Sequence, residues 1–273
     1  MPTDSFPRLS VGELSAWRAA QRYELDYWEE RGAASLRAQS ERFAHAARRL
    51  AGLLDEHATT DWRRSALQLG TAGIAEIHHL PARARFAVEP LACALDQRGL
   101  LVRDDVTYVS AMGERLPFPD AAFSVALVPN VLDHVARPGQ LLAEVHRCLE
   151  PGALLWLSCH VSPAWAIGAF RVLHGMGAGY FAGHPWYFTA DALRSLTRRA
   201  GFRVRLERSG AVDEAHADIR TGVRAHLKRR PHTSSGAYSA SATCCSSGRR
   251  MSVVIQTHEY DDRRFCFPFD LAS

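Results

Sequence analysis

Short apolar segments alternate with amphipathic segments through the middle of this 273-residue chain. The helical segments lie at 91–99, 138–149 and 189–200. The apolar segments predict strands at 66–69, 86–89, 106–110, 123–128, 153–159 and 202–207. Apolar strands that alternate with helices are typical of a parallel sheet covered on both faces. The pattern therefore predicts an α/β domain with a doubly wound, mostly parallel sheet.

Residues 11–56, before the first strand, have helical character throughout. Ser10 is suited to cap this helix, because Glu13 follows at the spacing of a capping box. Its aromatic stripe consists of Trp17, Tyr23, Tyr27 and Trp28. The stripe either packs against the main domain, which we favour, or forms a lid over a substrate pocket, and one helix can do both.

The alternation ends after the sixth predicted strand. A helix is predicted at 211–229, and the apolar run at 251–258 predicts a last strand that could pair antiparallel at the sheet edge. The Ser/Gly-rich stretch between them is typical of a linker or loop. We therefore divide the chain into an N-terminal helical cap (1–58), an α/β core (59–230), a linker or loop (231–250), and a last strand with a tail (251–273).

The composition is that of an ordinary globular protein, with 47% hydrophobic and 23% charged residues and a net charge of +4. Arginine pairs are scattered along the chain rather than concentrated in one stripe, so we expect no nucleic-acid partner. The first residues lack the apolar segment of a signal peptide, and no run is long enough to span a membrane. We expect a cytoplasmic protein with no membrane partner.

The six cysteines do not form a recognisable framework. Cys93, Cys148 and Cys159 lie in periodic or apolar segments and resemble small buried hydrophobic residues. No CxxC motif has a matching second pair, so we expect no metal site.

Ligands of open parallel sheets bind outside the carboxyl ends of the strands. Gly70 and Gly73 follow the first strand and lead into a predicted helix. Glycine would let the backbone approach a ligand, and a helix N-terminus would favour an anionic group. The alternative is that this strand-to-helix turn needs a glycine for structural reasons alone.

Glu89 ends the second strand, where a carboxylate can accept hydrogen bonds from both hydroxyls of a ribose. Pro90 follows it and is suited to the first position of a helix. Glu89 could therefore also serve as the acidic group at that helix N-terminus, and the two functions are compatible.

Three segments carry a family resemblance: GERLPFPDAAFSVALVPNVLDHV from Gly113, HRCLEPGALLWLS from His146 and GHPWYFTADALRSLTRRAGFRV from Gly183. They resemble class I S-adenosylmethionine-dependent methyltransferases of the methyltransferase type 11 group, over roughly residues 67–208 and more weakly to 258. The resemblance implies a Rossmann-like fold with a seven-stranded sheet, here with an N-terminal helical extension. It also implies S-adenosylmethionine as the cofactor.

The resemblance implies a set of cofactor-binding positions, and some depart from the family pattern. Gln68 and Met112 stand where the family has acidic residues, and Ala72 and Ile74 stand where it has glycines. Loss of the two charges would weaken cofactor binding by roughly one to three powers of ten. The positions are Gln68, Gly70, Ala72, Gly73, Glu89, Met112, Gly113, Glu114 and Asn130.

Methyl transfer needs in-line positioning and, where the acceptor carries a proton, a base. His160 and His134 are the candidate catalytic bases, while His184 and Tyr187 lie in a connection suited to an acceptor pocket. The favoured hypothesis is methyl transfer to a small molecule. One alternative is a methyltransferase-like protein that has lost methyl transfer and binds a ligand or partner or catalyses another reaction. A nicotinamide-dependent enzyme is least favoured, since the GxGxxG spacing is missing. The oligomeric state stays open, with a homodimer as one alternative.

Overall fold

The computed structural model describes residues 9–102, 104–175, 184–209, 238–243 and 252–259. Its helices are α1 Val11–Ala38, α2 Ser40–His57, α3 Ala92–Gln97, α4 Pro138–Cys148, α5 Ala164–Gly175 and α6 Ala190–Arg199, with a 3₁₀ helix at Glu76–His78. Its strands are β1 Ser65–Leu69, β2 Ala84–Val88, β3 Thr107–Val109, β4 Phe123–Pro129, β5 Leu149–Val161, β6 Arg203–Ser209, β7 Tyr238–Thr243 and β8 Ser252–Glu259. The helix predicted at 211–229 lies outside the described residues.

The strands form one sheet in the order β3-β2-β1-β4-β5-β8-β6-β7. The chain winds outward from β1 in one direction through β2 and β3, and in the other through β4 and β5, with all of these pairs parallel. The prediction of a doubly wound, mostly parallel sheet is therefore confirmed. The carboxyl ends of β1 and β4 meet where the strand order reverses, which is the expected place for a ligand.

The far side of the sheet differs from the prediction. Strand β8 lies between β5 and β6 and runs parallel to both, so the expectation of an antiparallel edge strand is wrong. Its consecutive apolar residues 253–255 fit a strand with neighbours on both sides. Strand β7, within the stretch expected to be a linker, runs antiparallel to β6 and β8. The described residues thus contain eight strands, and the predicted number of seven is not confirmed.

The N-terminal extension consists of two helices rather than one. The capping box at Ser10 is present: its backbone N–H donates to Glu13 Oε2 at 2.7 Å, and its side chain accepts from the Glu13 N–H at 3.2 Å. Gly32 adopts φ +69° and kinks α1, and Gln39 separates α1 from α2.

Helix α1 packs against the segment around α3 through a small apolar cluster. Leu36, Ile74, Leu95 and Leu100 are buried in it, and Trp28 packs against them half-buried. The expectation that part of the aromatic stripe packs against the main domain is therefore confirmed at Trp28. The main core, between the sheet and α4 and α6, is a separate and larger cluster.

Candidate functional site

Three residues of the glycine turn after β1 have a left-handed backbone conformation, with φ +68° at Gly70, +44° at Ala72 and +97° at Gly73. Within the described residues, no α-helix begins directly after this turn. The 3₁₀ helix Glu76–His78 stands there instead, so the prediction of a helix at this position is wrong. Gly73 and Ile74 pack against Leu100, a distant part of the chain, instead of continuing into a helix. The turn therefore lacks the helix N-terminus that was expected to attract an anionic group.

Both glycines of the turn are required by packing. A Cβ on Gly70 would lie 2.5 Å from Cγ2 of Val131, and a Cβ on Gly73 would overlap the carbonyl oxygen of Leu100. Ile74, which occupies a family glycine position, is 4% exposed and points into the apolar cluster with Leu100. Its side chain is therefore directed away from the surface of the turn.

Glu89 holds the turn in place. Its Oε2 accepts hydrogen bonds from the backbone N–H groups of Thr71 and Ala72, each at 3.0 Å. Its Oε1 accepts another from the N–H of Leu91 at 3.0 Å. Burial raises the pKa of Glu89, although the three hydrogen bonds oppose the rise. The carboxylate thus connects the glycine turn to the segment that begins α3.

Gln68 is fully buried next to the carboxyl end of β1, and its amide forms hydrogen bonds within the protein. Its Nε2 donates to Oε2 of Glu76 at 2.9 Å, and its Oε1 accepts from the N–H of Ile77 at 2.8 Å. Burial raises the pKa of Glu76. Glu76 on the 3₁₀ helix thus binds the side chain that stands at the family's acidic position, a contact that the sequence analysis did not identify.

The segment 112–114 supports helix α4. A Cβ on Gly113 would lie 2.6 Å from Cδ1 of Leu141 in that helix. Oε1 of Glu114 accepts hydrogen bonds from the N–H groups of Ala136 and Arg137, at 2.7 and 3.1 Å, just before α4 begins. Met112 is half-buried beside them. The Glu114 carboxylate therefore caps α4.

A cluster of ionisable side chains lies at the carboxyl end of β4. Nδ1 of His184 is 3.0 Å from Oδ2 of Asp133, and Nε2 of His134 is 3.7 Å from the same oxygen. The two imidazole rings are 4.4 Å apart between centroids. Asn130 precedes them with φ +52°, and its Oδ1 is buried with no hydrogen-bond partner among the described residues. The structure thus brings together His134 and His184, which the sequence analysis assigned to separate functions.

Burial alone would raise the pKa of Asp133, but His134, His184 and His160 together hold it well below its usual range. His160 lies next to the last residue of β5, and its charge is one of those that lower the pKa of Asp133. Burial, together with the negative charge of Asp133, raises the pKa of Tyr187 to about 12. His134 and His184, a candidate base and a candidate acceptor-binding residue, thus lie at one buried carboxylate.

Helix α1 reaches the same cluster. Oε1 of Glu24 is 3.3 Å from Nδ1 of His134, and the ring of Tyr23 meets the ring of His184 edge-on at 6.4 Å. At the start of α1, both carboxylate oxygens of Glu13 accept hydrogen bonds from the guanidinium of Arg137 at 2.7 Å. Helix α1 therefore contacts this cluster as well as the apolar cluster at Trp28, and the lid interpretation stays a prediction.

Asp133 and Glu24 were missed by the sequence analysis. A signal for Asp133 was present, because it directly precedes His134 at the tip of β4. Glu24 gave no such signal, since charged residues are common on an exposed helix.

Among the described residues, no helix is long and apolar enough to cross a membrane.

Comparison with known proteins identifies a matching family. Residues 77–157 match the model of a methyltransferase domain family. An uncharacterized methyltransferase of Mycolicibacterium vanbaalenii is 36% identical over 118 residues, which cover 43% of this chain and 42% of the relative. One of Mycobacterium avium is 40% identical over 97 residues, covering 35% and 36%. The chain thus spans less than half the length of these relatives.

Solved structures share the fold. A putative methyltransferase solved in complex with the Trm112 methyltransferase activator of Haloferax volcanii superposes with a TM-score of 0.52. It is 16% identical, and the superposition covers 69% of this chain and 81% of that one. Residues 77–157 are thus similar to a methyltransferase domain family, part of the chain is similar to uncharacterized methyltransferases, and the fold is similar to that of a solved putative methyltransferase.

Proposed function

We propose that the protein transfers a methyl group from S-adenosylmethionine to a small-molecule acceptor, with His160 as the general base. One observation carries the proposal. Two imidazoles, those of His184 and His134, lie 3.0 and 3.7 Å from the buried carboxylate of Asp133 after β4, at the carboxyl ends of the strands where β1 presents the glycine turn. A proton acceptor and a ligand-binding turn at one sheet edge are the two requirements of this reaction.

The side chains at the carboxyl ends of these strands fit S-adenosylmethionine, although they offer it fewer hydrogen-bond partners than the family pattern implies. A carboxylate offers about four acceptor positions, and backbone N–H groups take three of those of Glu89. One position is left, so Glu89 would bind one ribose hydroxyl rather than both. The unpartnered Oδ1 of Asn130 can accept a hydrogen bond from an amino or hydroxyl group.

S-adenosylmethionine, when bound, supplies a methyl group on a sulfonium that needs no further activation. The protein then has to align the acceptor and remove its proton. His160 is the candidate for this step, because it lies near the carboxyl end of β5 and its charge and that of Asp133 influence each other. His134 is a weaker candidate, since its ring already lies between Asp133 and Glu24.

Helix α1 supports a small acceptor rather than a macromolecule. Glu24 and Tyr23 of α1 contact His134 and His184 at the carboxyl ends of the strands, so α1 covers part of the site. His184 and Tyr187, on the connection before α6, complete the proposed acceptor pocket. A covered site excludes water from the transfer and limits the size of the acceptor.

A second candidate is a methyltransferase-like protein without methyl transfer. The observation that favours it is the amide of Gln68, which is used by Glu76 and Ile77. The absence of an α-helix after the glycine turn, within the described residues, points the same way. Such a protein would bind its ligand at the same edge without a cofactor.

The test combines binding with turnover. Calorimetric titration with S-adenosylmethionine and S-adenosylhomocysteine should show saturable binding, and labelled methyl groups should appear in some members of a panel of small hydroxyl and amine acceptors. His160→Gln should keep the binding and lower turnover about 100- to 10,000-fold. His79→Gln, which lies beside Ser40 away from the cluster, is the matched control. Absence of binding at millimolar ligand would contradict the proposal, and binding without transfer to any acceptor would favour the second candidate.

A further inference from the structure

We propose that Asp133, His134 and His184 bind a divalent transition-metal ion, with zinc as the best match. The inference rests on the geometry and burial of these side chains. It stands whether or not the protein transfers methyl groups.

The distances suit a shared ion. One ligand atom from each residue lies within 4.8 Å of one from each of the others. The two nitrogens closest to Oδ2 of Asp133 are 3.0 Å away in His184 and 3.7 Å away in His134. Bonds of about 2.0–2.1 Å from zinc place tetrahedral ligands roughly 3.3 Å apart. Small side-chain adjustments would therefore complete the coordination.

The burial of Asp133 adds an independent observation. The residue is 5% exposed, and its Oδ1 has no hydrogen-bond partner among the described residues. A buried carboxylate oxygen without a partner is costly, because it has lost its water. A hydrogen bond between Asp133 and His184 explains only the contact of Oδ2. An ion between the three side chains would also neutralise the buried charge.

The surroundings of His134 match those of a metal ligand. Its Nε2 faces Asp133, while Nδ1 on the opposite side of the ring is 3.3 Å from the carboxylate of Glu24. Metal-bound histidines commonly donate their second N–H to a carboxylate, which fixes the tautomer and strengthens the ligand. Helix α1 would thus supply the outer partner of the site.

The backbone around the cluster is tied together. The N–H of Trp186 donates to the carbonyl of Asp133 at 3.4 Å, and its indole N–H donates to the carbonyl of Val135 at 2.8 Å. The segments that carry the proposed ligands are therefore held next to each other without an ion. A preformed set of two imidazoles and one carboxylate suits Zn²⁺ and leaves a position open for water or for an acceptor oxygen.

Untagged full-length protein, stripped with a chelator, should be titrated with ZnCl₂ by calorimetry and with CoCl₂ by visible spectroscopy. We expect one equivalent of each ion to bind, and we expect cobalt bands without the charge-transfer absorption of thiolate ligands. His184→Gln and Asp133→Asn should weaken binding by at least about 100-fold. His79→Gln, an imidazole outside the cluster, should bind as the parent protein does.

Absence of binding in the parent protein overturns the inference without any variant. Unchanged affinity in both variants, or a thiolate band with cobalt, assigns the ion to another site and overturns it equally. The thermal midpoint of each variant, with and without ZnCl₂, identifies a variant that is merely unfolded; His134→Gln then replaces it. Binding of S-adenosylhomocysteine by the stripped protein is measured in parallel, so failure of the metal site is distinguished from failure of the proposed function.

Discussion

The backbone of Gly73 lies directly against the carbonyl oxygen of Leu100, so that a side chain at Gly73 would overlap it. The carbonyl of Gly73 in turn accepts hydrogen bonds from the N–H of Val102 at 2.9 Å and from the hydroxyl of Tyr108 at 3.2 Å. The end of the glycine turn is thus fixed to the segment after α3. The shape of the candidate site therefore depends on this contact.

Gly73→Ala should destabilise the fold by about 2–5 kcal/mol, because the left-handed backbone costs about 1–2 kcal/mol and overpacking adds about 1–3 kcal/mol. Gly99→Ala is the matched control, since Gly99 also has a positive φ but has nothing within 4 Å of a Cβ. Urea denaturation measures both variants. Equal losses of unfolding free energy in the two variants would mean that the contact with Leu100 contributes nothing to stability.

Glu89→Gln tests the carboxylate that binds the glycine turn. An amide offers one oxygen, so its NH₂ group would face a backbone N–H donor that the carboxylate now accepts. We expect a loss of about 1–3 kcal/mol in the free energy of unfolding. Binding of S-adenosylhomocysteine should weaken as well. The control is Glu56→Gln, an exposed acid at the end of α2. A stable variant that still loses binding would mean that Glu89 serves the ligand and not the turn.

Glu13→Gln tests whether α1 is held over the site. The Glu13 carboxylate accepts hydrogen bonds from Nε and Nη2 of Arg137, and the variant removes the ionic part of that contact. Deuterium uptake should rise in the first half of α1 and remain unchanged in α2. Glu30→Gln, an exposed acid of the same helix, should leave uptake as it is. Equal uptake in both variants would show that Arg137 does not restrain α1.

The same ion pair predicts a pH dependence. Hydrogen bonds from Arg137 and Ser10 lower the pKa of Glu13 to about 2. The folded pKa is below the unfolded one, so the contribution is complete above about pH 4.3 and is lost as the pH falls towards 2. Protection of the first turns of α1 should therefore be the same at pH 7 and pH 5. A loss of protection between these values would contradict the assignment.

The core strands were predictable because buried parallel strands are apolar on both faces, as in β4 and β5. Strand β7 was not, because its sequence YSASAT has the small polar residues of a loop. The missing helix after β1 depends on the contacts of Gly73 and Ile74 with distant segments. Local sequence does not reveal such contacts, and tertiary packing overrides helix propensity.

Some residues of the candidate site could be picked out from the sequence, whereas others could not. Glu89 and His160 were candidates because they stand at strand ends, which converge in a parallel sheet, whereas His134 was a candidate through the family resemblance. The contact between Asp133 and His184 joins residues that are 51 positions apart. A contact between residues so far apart in the chain is not visible in local periodicity.

The cysteines give a last prediction, on the packing of α4 against the sheet. Cys93 is exposed, whereas Cys148 and Cys159 are buried. Burial raises the pKa of Cys148 to about 11 and also raises the pKa of Cys159. At pH 8 only about 0.1% of Cys148 would be thiolate, against roughly a quarter of an ordinary exposed cysteine.

Iodoacetamide at pH 8, followed by peptide mass spectrometry, should therefore label Cys93 at least about 100-fold faster than Cys148 or Cys159. Because each site is read on its own peptide, labelling elsewhere in the chain does not disturb the comparison. In concentrated urea the three rates should become similar, which controls for sequence effects. Rapid labelling of Cys148 in the native protein would mean that α4 does not cover the sheet, and the Glu114 cap at its N-terminus would then lose its support.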